Sequence, residues 1–117
     1  FLSKANYTVA SSVCKTPTNE DFMKVALKCG SEHVAVTHGG EKIEYRHALE
    51  TEIITPEKVN VVDTSAAGDI FHGAFCYYKF SKNLSFSEAL IQADKVATYS
   101  VMYKGPRQGL LEYMKLQ

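Results

Sequence analysis

The run from Val59 to Tyr78 constrains the fold more than any other part of the 117-residue chain. Val59, Val61 and Val62 form a short β-branched stretch that suits a buried strand. Asp63, Thr64 and Ser65 follow, side chains able to accept backbone N–H groups at a helix start. Ala66, Ala67 and Gly68 then leave the backbone almost bare. From Phe71 the apolar residues Phe71, Ala74, Phe75 and Tyr78 fall at i, i+3, i+4 and i+7, the pattern of a helix with one buried face. The whole reads as strand, bare turn, helix.

Such a turn can hold an anion. The first N–H groups of a helix lack internal partners and carry partial positive charge, and small residues let a phosphate approach them. Asp69 sits in the first turn of the expected helix, where a carboxylate can take a proton from an attacking hydroxyl while N–H groups hold the transferring phosphoryl. The plainer alternative is that Asp63 and Asp69 only cap a tightly packed helix.

The complete string, Asp63-Thr64-Ser65-Ala66-Ala67-Gly68-Asp69, resembles the Asp-Thr-Thr-(Gly/Ala)-Ala-Gly-Asp signature of the ribokinase-like (PfkB) carbohydrate kinases, with Ser65 in place of a Thr. Phe71-His72-Gly73-Ala74-Phe75 is similar to the Phe-(Asn/His)-Gly-Ala run that follows it in that family. The resemblance implies an α/β fold, a ribokinase-like three-layer sandwich with a mainly parallel sheet. Residues 1–117 would be the C-terminal, nucleotide-binding part of a single domain, with the sugar-binding half upstream. The missing initiator Met agrees with a fragment.

Further positions carry the resemblance. Val36-Thr37-His38-Gly39 is similar to a nucleotide-contacting Thr-x-Gly, which implies that Thr37 and Gly39 meet ATP at the carboxyl end of a strand. The segment 93–109 resembles the last nucleotide-facing helix and its Gly-rich loop. Ala97 would lie against the base, and Asp94 stands where members often carry Asn or His. In many members groups near Asp63, Ser65 and the loop hold a monovalent cation such as K⁺. Here Asp63, Ser65, Ser100 and Gly105 would be that set, although Ser100 and Gly105 serve equally to end a helix. Mg²⁺ would travel with ATP.

The resemblance thus implies ATP-dependent phosphorylation of a sugar hydroxyl, with Asp69 as general base and the N–H groups of Ala66, Ala67 and Gly68 as anion hole. A kinase of nucleosides or vitamin-like alcohols, or a non-catalytic nucleotide-binding fragment, is the alternative. The isolated chain is expected to be inactive, since positioning supplies much of phosphoryl-transfer catalysis. Exposed sheet edges and half a core favour self-association, such as a homodimer.

Along the rest of the chain, Tyr7–Ser11 reads as a core strand, and Cys14 to Pro17 as a connector. Thr18 is the expected cap of a helix with Phe22, Val25, Ala26 and Cys29 on one face and Gly30 as its stop. His33–Thr37 reads as a strand buried on both faces, Lys42–His47 as a half-exposed strand whose charges form a solvated face, and Leu49–Ile54 as its hairpin partner. Ser85 and Glu88 match a capping box that opens a helix to about Met102, ended by Gly105 and Pro106; Leu110–Leu116 is a short final helix.

Thirteen basic and thirteen acidic residues cancel, giving a pI near 7.1. That balance supplies no basic field for nucleic acid or an anionic membrane. No apolar run is long enough to span a bilayer, and no secretory signal is visible, so a cytoplasmic location is expected. Cys14, Cys29 and Cys76 lie in apolar surroundings without metal spacing and read as buried free thiols. His33 and His38 read as surface residues rather than metal ligands.

Overall fold

The computed structural model describes residues 2–3, 19–28, 30–47 and 50–117. The expected strand Tyr7–Ser11, the connector at Cys14–Pro17, the Thr18 cap and the side chains of Phe22, Val25 and Cys29 lie outside the described residues. The chain divides into two compact units, Phe1–Thr55 and Pro56–Gln117.

The first unit holds a four-stranded sheet in the order β1 (Leu2–Ser3), β2 (His33–Thr37), β3 (Ile43–His47) and β4 (Glu50–Ile54), with one helix, α1 (Asn19–Lys28). β1 pairs with β2 in parallel; β2 with β3 and β3 with β4 are antiparallel. The mainly parallel sheet expected from the sequence is therefore a mixed one among the described strands. The reason is loop length: β2, β3 and β4 follow one another too closely for the crossover that a parallel pairing needs.

Gly30, at φ +97°, ends α1 as expected, its N–H donating to the Leu27 carbonyl and that of Ser31 to Ala26. Met23 of α1 packs with Val34 and Val36 of β2, flanked by Ala26 and Leu27. Ala35, between the two valines, is also buried, so β2 is covered on both faces as its apolar run predicts. Ile43 and Tyr45 of β3 are buried while Glu44 and Arg46 between them are half-buried, in line with the alternation.

The charges of this hairpin are only in part a solvated face: Glu50 and Glu52 are exposed, while Glu44 and Arg46 are half-buried. Lys42 donates to the Glu44 carboxylate at 2.7 Å, and the Tyr45 hydroxyl donates to Glu52, its cross-strand partner. His38 is not a surface residue either. Its side chain is 11% exposed and Nε2 lies 3.7 Å from Glu44 Oε2.

The second unit is helical: α2 (Ala67–Cys76), a π-helical turn (Tyr77–Ser81), α3 (Phe86–Ser100) and α4 (Gln108–Lys115). Phe71 and Phe75 of α2 are buried, and Phe75 meets Phe86 edge to face at 5.6 Å. On α3, Ala89, Leu90 and Ala93 are fully buried and Val96 nearly so. The alanines keep the helix surface low, and each large side chain taken from water contributes roughly 1.5–3 kcal/mol. Ser85 caps α3 with the complete box: its hydroxyl accepts the Glu88 N–H at 3.3 Å, and its N–H donates back to Glu88 Oε2 at 3.0 Å.

Three expectations fail in this unit. Val59–Val62 form no strand; Val61 and Val62 are more than half exposed, and the Val62 N–H donates to the Val101 carbonyl at 2.8 Å instead of to a ladder. Gly105 does not end α3, which stops at Ser100 with Val101 as C-cap in a right-handed conformation. Cys76 is a free thiol but exposed, because it falls on the outer side of the last turn of α2.

Candidate functional site

The turn at 63–69 forms without the side-chain cap that Asp63, Thr64 and Ser65 suggested. Ala66 takes the N-cap position at φ +60°, ψ +14°, and no side chain bonds the helix start. A left-handed alanine is strained by about 1–2 kcal/mol, and such strain persists only where the surroundings hold it.

The holding groups are visible. Asp63 Oδ1 accepts the Ser65 N–H at 2.8 Å and Oδ2 accepts the Gly105 N–H at 2.8 Å. The Asp63 N–H donates to the Val101 carbonyl at 3.1 Å, and the Ala67 N–H to the Thr64 carbonyl at 3.2 Å. The Ser65 hydroxyl, then the Ser65 and Gly105 N–H groups, hold the Asp63 carboxyl down at about 2.

The helix start that results is open. Ile70 is the first residue of α2 whose N–H reaches back to Ala66, at 2.9 Å. The N–H groups of Gly68 and Asp69 have no acceptor among the described residues. A Cβ placed on Gly68 would meet nothing within 4 Å, so the space in front of it is clear. Asp69 is exposed beside these donors. These features fit a phosphate chain: unpaired donors, a bare approach and a helix dipole of the right sign.

Of the other expected site residues, Asp63, Ser65 and Gly105 are brought together by the hydrogen bonds above. Ser100 lies apart from that exchange; it is buried and its hydroxyl donates to the Ala97 carbonyl at 2.7 Å. Ala97 is half-buried on α3. The Asp94 carboxyl is pushed up by burial, against a hydrogen bond from Thr98 that lowers it. Thr37 and Gly39 belong to the first unit. Thr37 is the last residue of β2, and Gly39, at φ +57°, sits in a turn closed by the Glu41 N–H on the His38 carbonyl at 3.1 Å. Among the described residues no three His, Cys, Asp or Glu side chains gather as a metal cage, and no helix is long and apolar enough to cross a membrane.

Two features of the site were not legible in the sequence reading. Gly109 is pressed against the backbone of Ser100, and its only sequence signal is a glycine inside an otherwise helical pattern. A cleft of about 660 Å³ runs beside α2, lined by Asp69, Ile70, Ala74, Tyr78, Tyr113 and Met114 among others. Its walls are apolar and aromatic, which does not suit a polyhydroxylated ligand. Burial in this region raises the Tyr78 phenol, with Tyr113 adding to the rise.

Comparison with known proteins gives the family and the fold. Residues 1–112 match the profile of the pfkB family carbohydrate kinases. The ribokinase of Lactococcus lactis is 33% identical over 97 residues, which cover 83% of this chain and 32% of that protein. The Thermotoga maritima ribokinase structure superposes with a TM-score of 0.81 at 26% identity, covering 97% of this chain and 40% of that one. An E. coli protein provisionally named ribokinase II, solved in complex with ATP and Mg²⁺, gives 0.80 at 26% identity, covering 97% of this chain and 36% of its own. The chain therefore spans about a third of the length of these relatives, and its match to them is an α/β fold of the ribokinase kind.

Proposed function

The chain belongs to the pfkB family of carbohydrate kinases, and on that premise we propose that it supplies the phosphoryl-handling part of an ATP-dependent sugar kinase. The observation that carries the reading is the open start of α2, where the unpaired N–H groups of Gly68 and Asp69 stand beside the exposed Asp69 carboxylate. Bound Mg-ATP supplies the transferring phosphoryl group.

The residues of the chain do the rest. The open N–H groups of Gly68 and Asp69 meet the charge that grows on the phosphoryl oxygens without reorganising; of the expected hole of Ala66, Ala67 and Gly68, the Ala67 N–H is already given to the Thr64 carbonyl. Asp69 accepts the proton of the attacking sugar hydroxyl. Thr37 and Gly39 in the first unit, and separately Ala97 in the second, are the residues assigned to nucleotide contact, Ala97 because its methyl group leaves room for a base. Asp63, Ser65, Ser100 and Gly105 are the groups assigned to a monovalent cation, whose charge supports the anion hole. The reading places the reaction in the cytoplasm, where the free thiol of Cys76 stays reduced.

The test is ADP release by the full-length gene product with Mg-ATP and a panel of free sugars, phosphosugars and nucleosides. Release that depends on a sugar acceptor supports the kinase. Asp69→Asn is expected to lower kcat by about 10²–10⁴-fold, the usual worth of a positioned base, with ATP affinity retained. Near-normal turnover in that variant removes Asp69 as the base. Preference for a nucleoside replaces the sugar assignment, and ATP binding without release to any acceptor favours a binding fragment.

A further inference from the structure

Neither carboxylate oxygen of Asp63 is idle. Oδ1 holds the N–H of Ser65, its near neighbour, and Oδ2 holds the N–H of Gly105, 42 residues further on, each at 2.8 Å. The N–H groups of Val62 and Asp63 both donate to the Val101 carbonyl, at 2.8 and 3.1 Å. These bonds join the segment 62–65 to the loop after α3 at 101–105. Directly after the joined segment comes the left-handed Ala66 and then the first turn of α2.

We infer that Asp63 is a positioning residue: its carboxylate latches the 63–66 turn to Gly105 and so fixes the direction in which the Gly68 and Asp69 N–H groups point. The inference rests on the reading of that turn as an anion hole and adds to it. Donors aimed at developing charge lose much of their worth when displaced by an ångström. The latch needs only the two N–H donors, so it is a separate use of the carboxylate from cation ligation. An asparagine has the same shape but one acceptor oxygen, and its NH₂ would oppose one of the two N–H groups.

The experiment compares wild type and Asp63→Asn in the full-length gene product, with two readouts. In ADP-release assays across a potassium titration, the latch predicts that kcat falls about 10–100-fold. ATP KM should move by less than about threefold, as for an interaction felt mainly in the transition state, and kcat should stay low at saturating potassium, whatever the shift in potassium half-saturation. In amide hydrogen exchange followed by NMR, at least one of the Ser65 and Gly105 amides should exchange faster in the variant while Leu90, in the core of α3, does not. Normal kcat with only a lowered Tm overturns the inference in favour of plain structural support. Loss of kcat that added potassium restores overturns it in favour of cation ligation. Unchanged exchange at Ser65 and Gly105 overturns it outright. Should wild type release no ADP, the kinase reading fails and the exchange data alone decide the latch. If Asp63→Asn does not fold, Asp63→Ser takes its place: it can retain the Ser65 bond, so Gly105 alone should exchange faster.

Discussion

Gly109 of α4 lies so near Ser100 of α3 that a Cβ on it would come within 2.5 Å of both the Ser100 Cα and the Ser100 carbonyl oxygen. The neighbour is backbone and cannot swing aside, so any side chain at 109 must push one helix off the other. Gly109→Ala is expected to lower stability by about 1–3 kcal/mol, the usual range for overpacking, despite the better helix propensity of alanine. Urea unfolding followed by circular dichroism checks this; an unchanged midpoint would mean the helices do not pack this closely.

Ala66 invites a paired test, because its φ of +60° penalises any Cβ and a branched one most. Ala66→Gly relieves the strain but loosens the unfolded chain, so stability should stay within about 1 kcal/mol of the parent. Ala66→Val should lower it by about 1–2 kcal/mol or more. Equal stability of the two variants in the same urea assay would show that the left-handed turn is absent in solution.

Acid should find the capping box of α3. The Glu88 carboxyl is held below its ordinary 4.5, first by the Ser85 hydroxyl and then by the Ser85 N–H. As pH falls through about 4.5 the unfolded chain takes up the proton first, so the stabilisation from Glu88 is present above that pH and drains away below it. Tm measured from pH 7 to pH 3 should therefore fall less for Glu88→Gln than for the parent. Parallel curves would mean the box does not form. Ser85→Ala should cost about 1 kcal/mol at neutral pH, the usual worth of an N-cap.

What was legible in the sequence was what neighbouring residues decide together. The apolar run at His33–Thr37, the alternation from Ile43 to His47 and the Ser85–Glu88 box each carry their own structural signal, and each forms. The Asp63–Asp69 string was legible as a motif, and its helix begins at Ala67. What failed needed distant partners. Val59, Val61 and Val62 are good strand residues, but β-propensity expresses itself only where a ladder and a cover exist; here the Val62 N–H is taken by Val101 instead. The capping role given to Asp63 is local by sequence, yet half of its carboxylate serves Gly105. The polar face expected around Lys42 turned inward enough for Glu44 to collect Lys42 and His38. Gly109 reads as a poor helix residue until the neighbour it touches is known.

The sheet of the first unit has a consequence in time as well as in space. β2, β3 and β4 pair in sequence order, with Thr37 opposite Ile43 and His47 opposite Glu50, so both hairpins close over a handful of residues. Among the described residues β1 reaches β2 through Leu2 opposite Val36 and Ser3 opposite Thr37, partners separated by about thirty residues of chain, so the closure entropy is larger. The meander can therefore zip first and wait for β1 to be laid along it. In that order β2, the strand that ends in Thr37, is paired on one side from the outset, and the Gly39 turn is set by the hairpin it belongs to rather than by the last strand to arrive.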